Sequence, residues 1–192
     1  MKDGERYFCD TSALYGQLPR DLLWTLAQAG LVELRWGGYV AAELRRVLLR
    51  RRGADAERVD LLLTRMRAAV PGAWHEGGDV AVEGSAFPDP GDVPVVATAL
   101  GAGCAAVVTE NPKHFPATAL EPLGLRVVGV DACLGEVVAA DAAGVAVVID
   151  VWLGERERPR YTRRTLLARL RSERAGLASF AAGLAAAWGE PT

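Results

Sequence analysis

Short apolar runs alternate along this chain with longer stretches in which apolar residues recur at helical spacing. Residues 6–9 form the first run and predict a short strand. Residues 12–16 predict the first helical turns, and 20–29 a helix that stops at Gly30. Residues 31–36, Leu-Val-Glu-Leu-Arg-Trp, come close to alternation and predict a second strand. Gly37-Gly38 reads as a turn. Over 40–52, Val40, Leu44, Val47 and Leu48 share one apolar helix face, and Gly53 ends the helix. Residues 56–69 predict another helix, closed by Pro71-Gly72. The stretch 71–91 is rich in Gly, Pro and acid and reads as loop, with a short strand around 80–82. A helix over 93–102, a buried strand over 105–109 and a last short strand over 125–128 follow.

Strands alternating with helices predict a parallel sheet covered on both faces. From residue 131 the pattern turns all helical, over 131–140, 142–153, 162–174 and 177–188, with a charged linker at 154–161. Two units are therefore expected, 1–130 and 131–192.

Composition narrows the class. The chain has 192 residues, 51% hydrophobic and 24% charged, enough for a globular domain with a sizeable core plus an appendage. A net charge of −2 gives no general attraction to nucleic acid. Of 22 basic residues only Lys2 and Lys113 are lysines, so a single arginine carries little chemical information here. The cysteines, Cys9, Cys104 and Cys133, are odd in number and form no CxxC pair, which excludes a zinc-ribbon spacing or a disulfide framework. Buried thiols in a reducing cytoplasm are expected instead. Residues 1–6 have no apolar run, so no signal peptide is expected. The uncharged stretch 93–109 approaches membrane-spanning length, but Pro94, Gly101 and Gly103 divide it into a helix and a strand, and no membrane is expected.

Acidic and amide residues stand at informative places in this pattern. Asp10 ends the first strand, where the sheet fixes a carboxylate facing the crevice beyond the strand ends; it also suits the N-cap of the next helix. Glu43 shares a helix face with Val40 and Val47. A carboxylate buried there without a partner costs on the order of 2–7 kcal/mol, so it calls for a metal, or else it pairs with Arg46 or Arg50 on a solvated flank. Pro88-Asp89-Pro90-Gly91-Asp92 opens the 93–102 helix, and Asp92 suits both a metal site and a helix cap. Thr109-Glu110-Asn111-Pro112-Lys113-His114 follows the second buried strand. Gathered at one sheet edge, such oxygens match the preference of hard divalent cations.

This order of motifs resembles the PIN-domain ribonucleases, in particular the VapC-like toxins of bacterial toxin–antitoxin pairs. The resemblance implies a three-layer α/β/α fold with a central parallel sheet, followed here by a small all-helical extension. It implies a magnesium or manganese ion held by Asp10, Glu43 and Asp92, with Asn111 completing the catalytic set and Ser12, Asp89, Thr109 and His114 in support. It further implies hydrolysis of RNA to leave a 5′-phosphate, a cognate antitoxin, a homodimer and a cytoplasmic location. Two departures stand out. Val93-Pro94 replaces a basic or His pair that many members carry, and His114 occupies a position where Asp is common. The segment Gly176-Leu177-Ala178-Ser179-Phe180-Ala181 resembles the end of the extension in one VapC-like subgroup.

Two arginine groups are candidates for neutralising RNA phosphates: Arg45, Arg46, Arg50, Arg51 and Arg52, and Arg156, Arg158, Arg160, Arg163 and Arg164. A solvated helix face explains them equally well. Arg46, Arg50 and Lys113 are singled out as candidates for binding RNA. Trp36 and Tyr39 offer rings for stacking a base or for packing the core. A haloacid-dehalogenase-like phosphatase also begins with a strand-end Asp, but it needs a second carboxylate where this chain has Ser12. The remaining alternative is a non-catalytic PIN-like module that binds RNA or protein.

Overall fold

A computed structural model describes residues 5–77, 80–157 and 159–190, without the side chains of Arg52 and Ser85. Arg158 and the Arg52 side chain, named among the basic candidates, lie outside these described residues.

Five strands make one parallel sheet in the order β3-β2-β1-β4-β5. They are β1 (Arg6–Cys9), β2 (Glu33–Gly37), β3 (Trp74–His75), β4 (Ala106–Val108) and β5 (Arg126–Val128). The first half of the chain supplies α1 (Thr11–Tyr15), α2 (Gln17–Gln28), α3 (Gly38–Arg52) and α4 (Ala56–Ala69). α5 (Val93–Gly101) and the short α6 (Ala117–Leu120) follow. The helices flank the sheet in the three-layer α/β/α arrangement expected of a PIN-like fold. Because β1 pairs with β2 on one side and β4 on the other, its Tyr7, Phe8 and Cys9 are buried throughout.

The differences from the sequence reading have local causes. Gly37-Gly38 is no turn: Gly37 ends β2 and Gly38 begins α3. Glycine is needed at 37 because a Cβ there would approach the His75 carbonyl oxygen to 2.5 Å as β3 pairs alongside. β3 itself has two residues, too few to show any periodicity. No strand forms at 80–82. α2 begins at Gln17, three residues before the predicted start, since Pro19 sits in its first turn, where a missing N–H is harmless.

The extension comprises α7 (Val130–Ala140), α8 (Ala142–Glu155), α9 (Arg163–Arg171) and α10 (Ala178–Trp188). α10 packs on α7, α8 and α9, and α8 also meets α2. Asp131 anchors this arrangement by accepting the Ser179 and Phe180 backbone N–H groups at the start of α10, each at 2.9 Å. Gly176, at φ +63°, turns the chain just before it, and Leu177, Phe180 and Ala181 are buried. The apolar segment 176–181 is therefore a docking element of the tail.

The three cysteines are buried and free, as expected, and burial pushes the Cys104 and Cys133 thiols up to about 12. Trp36 is fully buried between Trp24 and Trp74, with ring centroids 5.5 and 5.1 Å away in edge-to-face contact, which removes it as a base-stacking ring. No single helix among the described residues is long and apolar enough to cross a membrane; α7 and α8 qualify by length only together, and they meet at 114°.

Candidate functional site

β1 and β4 are neighbours from which the chain winds outward in opposite directions, to β2 and to β5. Such a switch point opens a crevice beyond the carboxyl ends of the strands. Asp10 follows β1 and Thr109 follows β4, and the ladder holds both: Asp10 N donates to the Val108 carbonyl at 3.0 Å and Thr109 N to that of Val128 at 2.9 Å. Asp10 Oδ2 accepts from Ser12 Oγ at 2.8 Å, Thr109 Oγ1 at 2.9 Å and Ser12 N at 3.3 Å. Asp10 is thus the N-cap of α1 as well as a strand-end carboxylate. All three bonds fall on Oδ2, so Oδ1 stands outside this network.

The two hydroxyls clasp the strand ends together. They lie 2.9 Å apart; Ser12 Oγ accepts from Glu110 N at 2.9 Å, and Thr109 Oγ1 accepts from Asn111 N at 3.0 Å. Glu110 in turn accepts the Val130 backbone N–H at 3.2 Å, linking the floor of the crevice to the start of α7.

Glu43 reaches the same crevice from α3. Thr11 Oγ1 donates to its Oε2 at 2.7 Å, and Arg46 Nη2 to its Oε1 at 3.1 Å. The pairing with Arg46 considered from sequence is therefore present, and the Glu43 side chain is 32% exposed rather than turned into the core. Arg46 gives one of its N–H groups to this carboxylate.

Asp92 is different. It precedes α5 but makes no capping bond, so the helix-cap reading fails for it. Its Oδ2 is buried without a hydrogen-bond partner among the described residues. His114 Nδ1 lies 3.2 Å away, within ion-pair distance but outside hydrogen-bond geometry. The Asp92 carboxyl is pushed up to about 6, chiefly by burial; His114 opposes the rise, and the negative charges of Asp89 and Asp10 add to it. Repulsion between carboxylates is thus real here but secondary to desolvation. Asp89 itself caps the 3-10 turn before Asp92 through Gly91 N at 2.8 Å.

Asp89, Asp92 and His114 each offer a ligand atom within 4.8 Å of the others. A buried carboxylate oxygen without a donor, beside a second carboxylate and an imidazole, fits a divalent cation. The carboxylates suit magnesium or manganese, while an imidazole is an unusual ligand for magnesium. Burial first, then the charges of Glu43, Asp89 and Asp92, pushes the Tyr39 hydroxyl up, so this half-exposed ring stands beside the acids.

One cleft of about 530 Å³ brings these residues together: Asp10, Ser12, Glu43, Asp89, Asp92, Asn111 and His114 all line it. Thr109 lies beneath them, fully buried. Arg50 and Lys113 are exposed and do not line it, whereas Arg51 does. Sequence reasoning missed the opposite wall, where Glu173, Arg174, Ala175 and Gly176 of the extension face the acids. No motif marks that segment; only the fold brings it there.

Fold and site together define a class: a parallel-sheet domain with an acidic, cation-ready crevice at its switch point. A family model of the PIN domain matches residues 7–113, and the chain belongs to the PIN-domain family. PIN domains are generally metal-dependent nucleases. The matched span contains Asp10, Glu43, Asp92 and Asn111 and ends before His114 and the extension. No curated protein and no solved structure matches the chain.

Proposed function

We propose that this protein is a metal-dependent endoribonuclease, a VapC-like toxin that cleaves RNA and is silenced by a cognate antitoxin. The observation that carries the metal-dependent part is the buried Asp92 Oδ2, without a hydrogen-bond partner among the described residues, on a residue that lines the same cleft as Asp10. Asp92 and Asp10 would hold the ion, with Asp89 and His114 in ligand reach of Asp92 and Glu43 adding negative charge from the same cleft. A bound magnesium or manganese ion would lower the pKa of a water and neutralise the scissile phosphate.

The protein's own groups do the rest. Ser12 and Thr109 fix Asp10 through its Oδ2 and leave the other oxygen for the cleft. Thr11 and Arg46 fix Glu43. Asn111, exposed at the cleft edge, offers an amide to the substrate or to water. His114 stands 3.2 Å from Asp92 and lines the same cleft. A homodimer and a cytoplasmic location belong to the same reading.

The test is incubation of purified protein with RNA in magnesium, in manganese and in chelator. The reading expects cleavage only with metal and products bearing a 5′-phosphate; cleavage that chelator leaves untouched would refute it. Expression with and without the adjacent gene tests the toxin assignment. Growth arrest relieved by the neighbour supports it, and unimpaired growth without the neighbour contradicts it.

A further inference from the structure

The acidic cleft continues into a second cavity of opposite chemistry. This cavity, about 210 Å³, shares Gly16, Pro19, Arg174 and Ala175 with the cleft. Its remaining functional lining is Arg156, Arg169 and Tyr161, and no carboxylate lines it among the described residues. Every one of these groups comes from the extension. We infer that this basic, aromatic pocket holds a phosphate and an unpaired base of single-stranded RNA beside the scissile bond; the inference rests on the ribonuclease reading above.

The first argument is charge. A cluster of carboxylates tolerates a polyanion only at its metal, so the flanking phosphates must be neutralised elsewhere. Arg174 lines both cavities, is exposed, and has no ion pair or hydrogen bond among the described residues. The second argument is unused donor capacity. Arg156 gives Nη1 to Asp21 at 3.0 Å, yet its Nε is buried without a partner. Arg169 uses Nη1 on Ser172 Oγ at 2.9 Å. A guanidinium has five N–H donors, so each retains several. The third is stacking. Tyr161 lies parallel to Trp152, centroids 6.4 Å apart and planes at 13°, with the Arg156 guanidinium 4.5 Å from the Trp152 ring and 5.9 Å from that of Tyr161. A half-buried ring already held in a stack, within a basic pocket, suits an unpaired base.

The test is fluorescence anisotropy with a labelled oligoribonucleotide of about ten nucleotides. It uses the full chain carrying Asp92→Asn so that the RNA stays intact. Arg174→Glu is compared with Arg58→Glu, an equal charge change on α4 at an exposed residue that lines neither cavity. The proposal expects Arg174→Glu to weaken binding about tenfold and to lower the salt slope by about 0.7, while Arg58→Glu stays within about twofold. Tyr161→Ala is expected to weaken binding severalfold, and Tyr161→Phe, which keeps the stack, to restore it. Equal effects of the two Arg variants, or none from Arg174→Glu while the wild type still cleaves RNA, would overturn this pocket and leave the nuclease standing. Absence of RNA binding and of cleavage in every folded protein would overturn both.

Discussion

The two walls of the cleft are built on opposite principles. The floor, from β1, β4 and the turn before α5, is buried and short-bonded: Asp10 receives two hydroxyls and an amide, and Asp92 is desolvated. The facing wall, from the extension, is exposed and presents Arg174, which has no partner among the described residues. A floor of this kind fixes one geometry and suits an ion. A wall of this kind meets a flexible polyanion and tolerates variation. The difference suggests that chemistry resides in the PIN core and substrate grip in the extension.

The largest effect that would separate the two walls comes from Asp10. Asp10→Asn should lower RNA cleavage by about 10³-fold or more while circular dichroism shows an unchanged fold. Cleavage near the wild-type rate would remove the floor from the mechanism. Ser12→Ala and Thr109→Val leave the carboxylate but free its orientation; each should reduce activity or metal affinity by about 10–100-fold. A loss confined to RNA affinity would assign these hydroxyls to the substrate instead.

The next effect concerns the joint between the walls. Asp131→Ala removes the acceptor at the start of α10 and should cost about 0.5–2 kcal/mol, read as a lower Tm. Because 173–176 then loses its anchor, RNA affinity should fall more than single-turnover cleavage at saturating RNA. Equal losses in both would indicate that the extension also shapes the floor.

The smallest effect is electrostatic. The folded chain holds the Asp92 carboxyl at about 6, above its ordinary value, so folding favours the protonated form. Without metal, stability should therefore decline as pH rises from the usual carboxylate range through about 6 and then level off. In chelator, Asp92→Asn should raise Tm by roughly 2–4 °C near neutrality and change little at low pH. Manganese should stabilise the wild type above about pH 6 and lose its effect below, as protons displace it. A Tm gain from manganese that ignores pH would place the ion elsewhere.

The floor was legible in sequence because its parts obey local rules. Apolar runs ended at Asp10 and Thr109, and the Asp89-to-Asp92 spacing preceded a helix. The sequence did not separate the two capping readings: Asp10 does cap its helix and Asp92 does not, and only the side-chain bond to the helix's first turn distinguishes them. β3 and the glycine contact at Gly37 escaped because two residues carry no periodicity. The opposite wall escaped for another reason. In a chain with 22 basic residues, nearly all Arg, nothing marked Arg174 until Gly176 and the Asp131 anchor turned it toward the acids. Arg46, a candidate RNA contact, gives one N–H to Glu43 and stays largely exposed.

The most direct measurement is cleavage of a labelled RNA by wild type and Asp92→Asn, side by side in manganese, with folding verified in the same samples. The account predicts metal-dependent cutting by the wild type and background for the variant. Equal cutting by both would contradict it, because the donorless carboxylate at the centre of the site would then have no part in the chemistry.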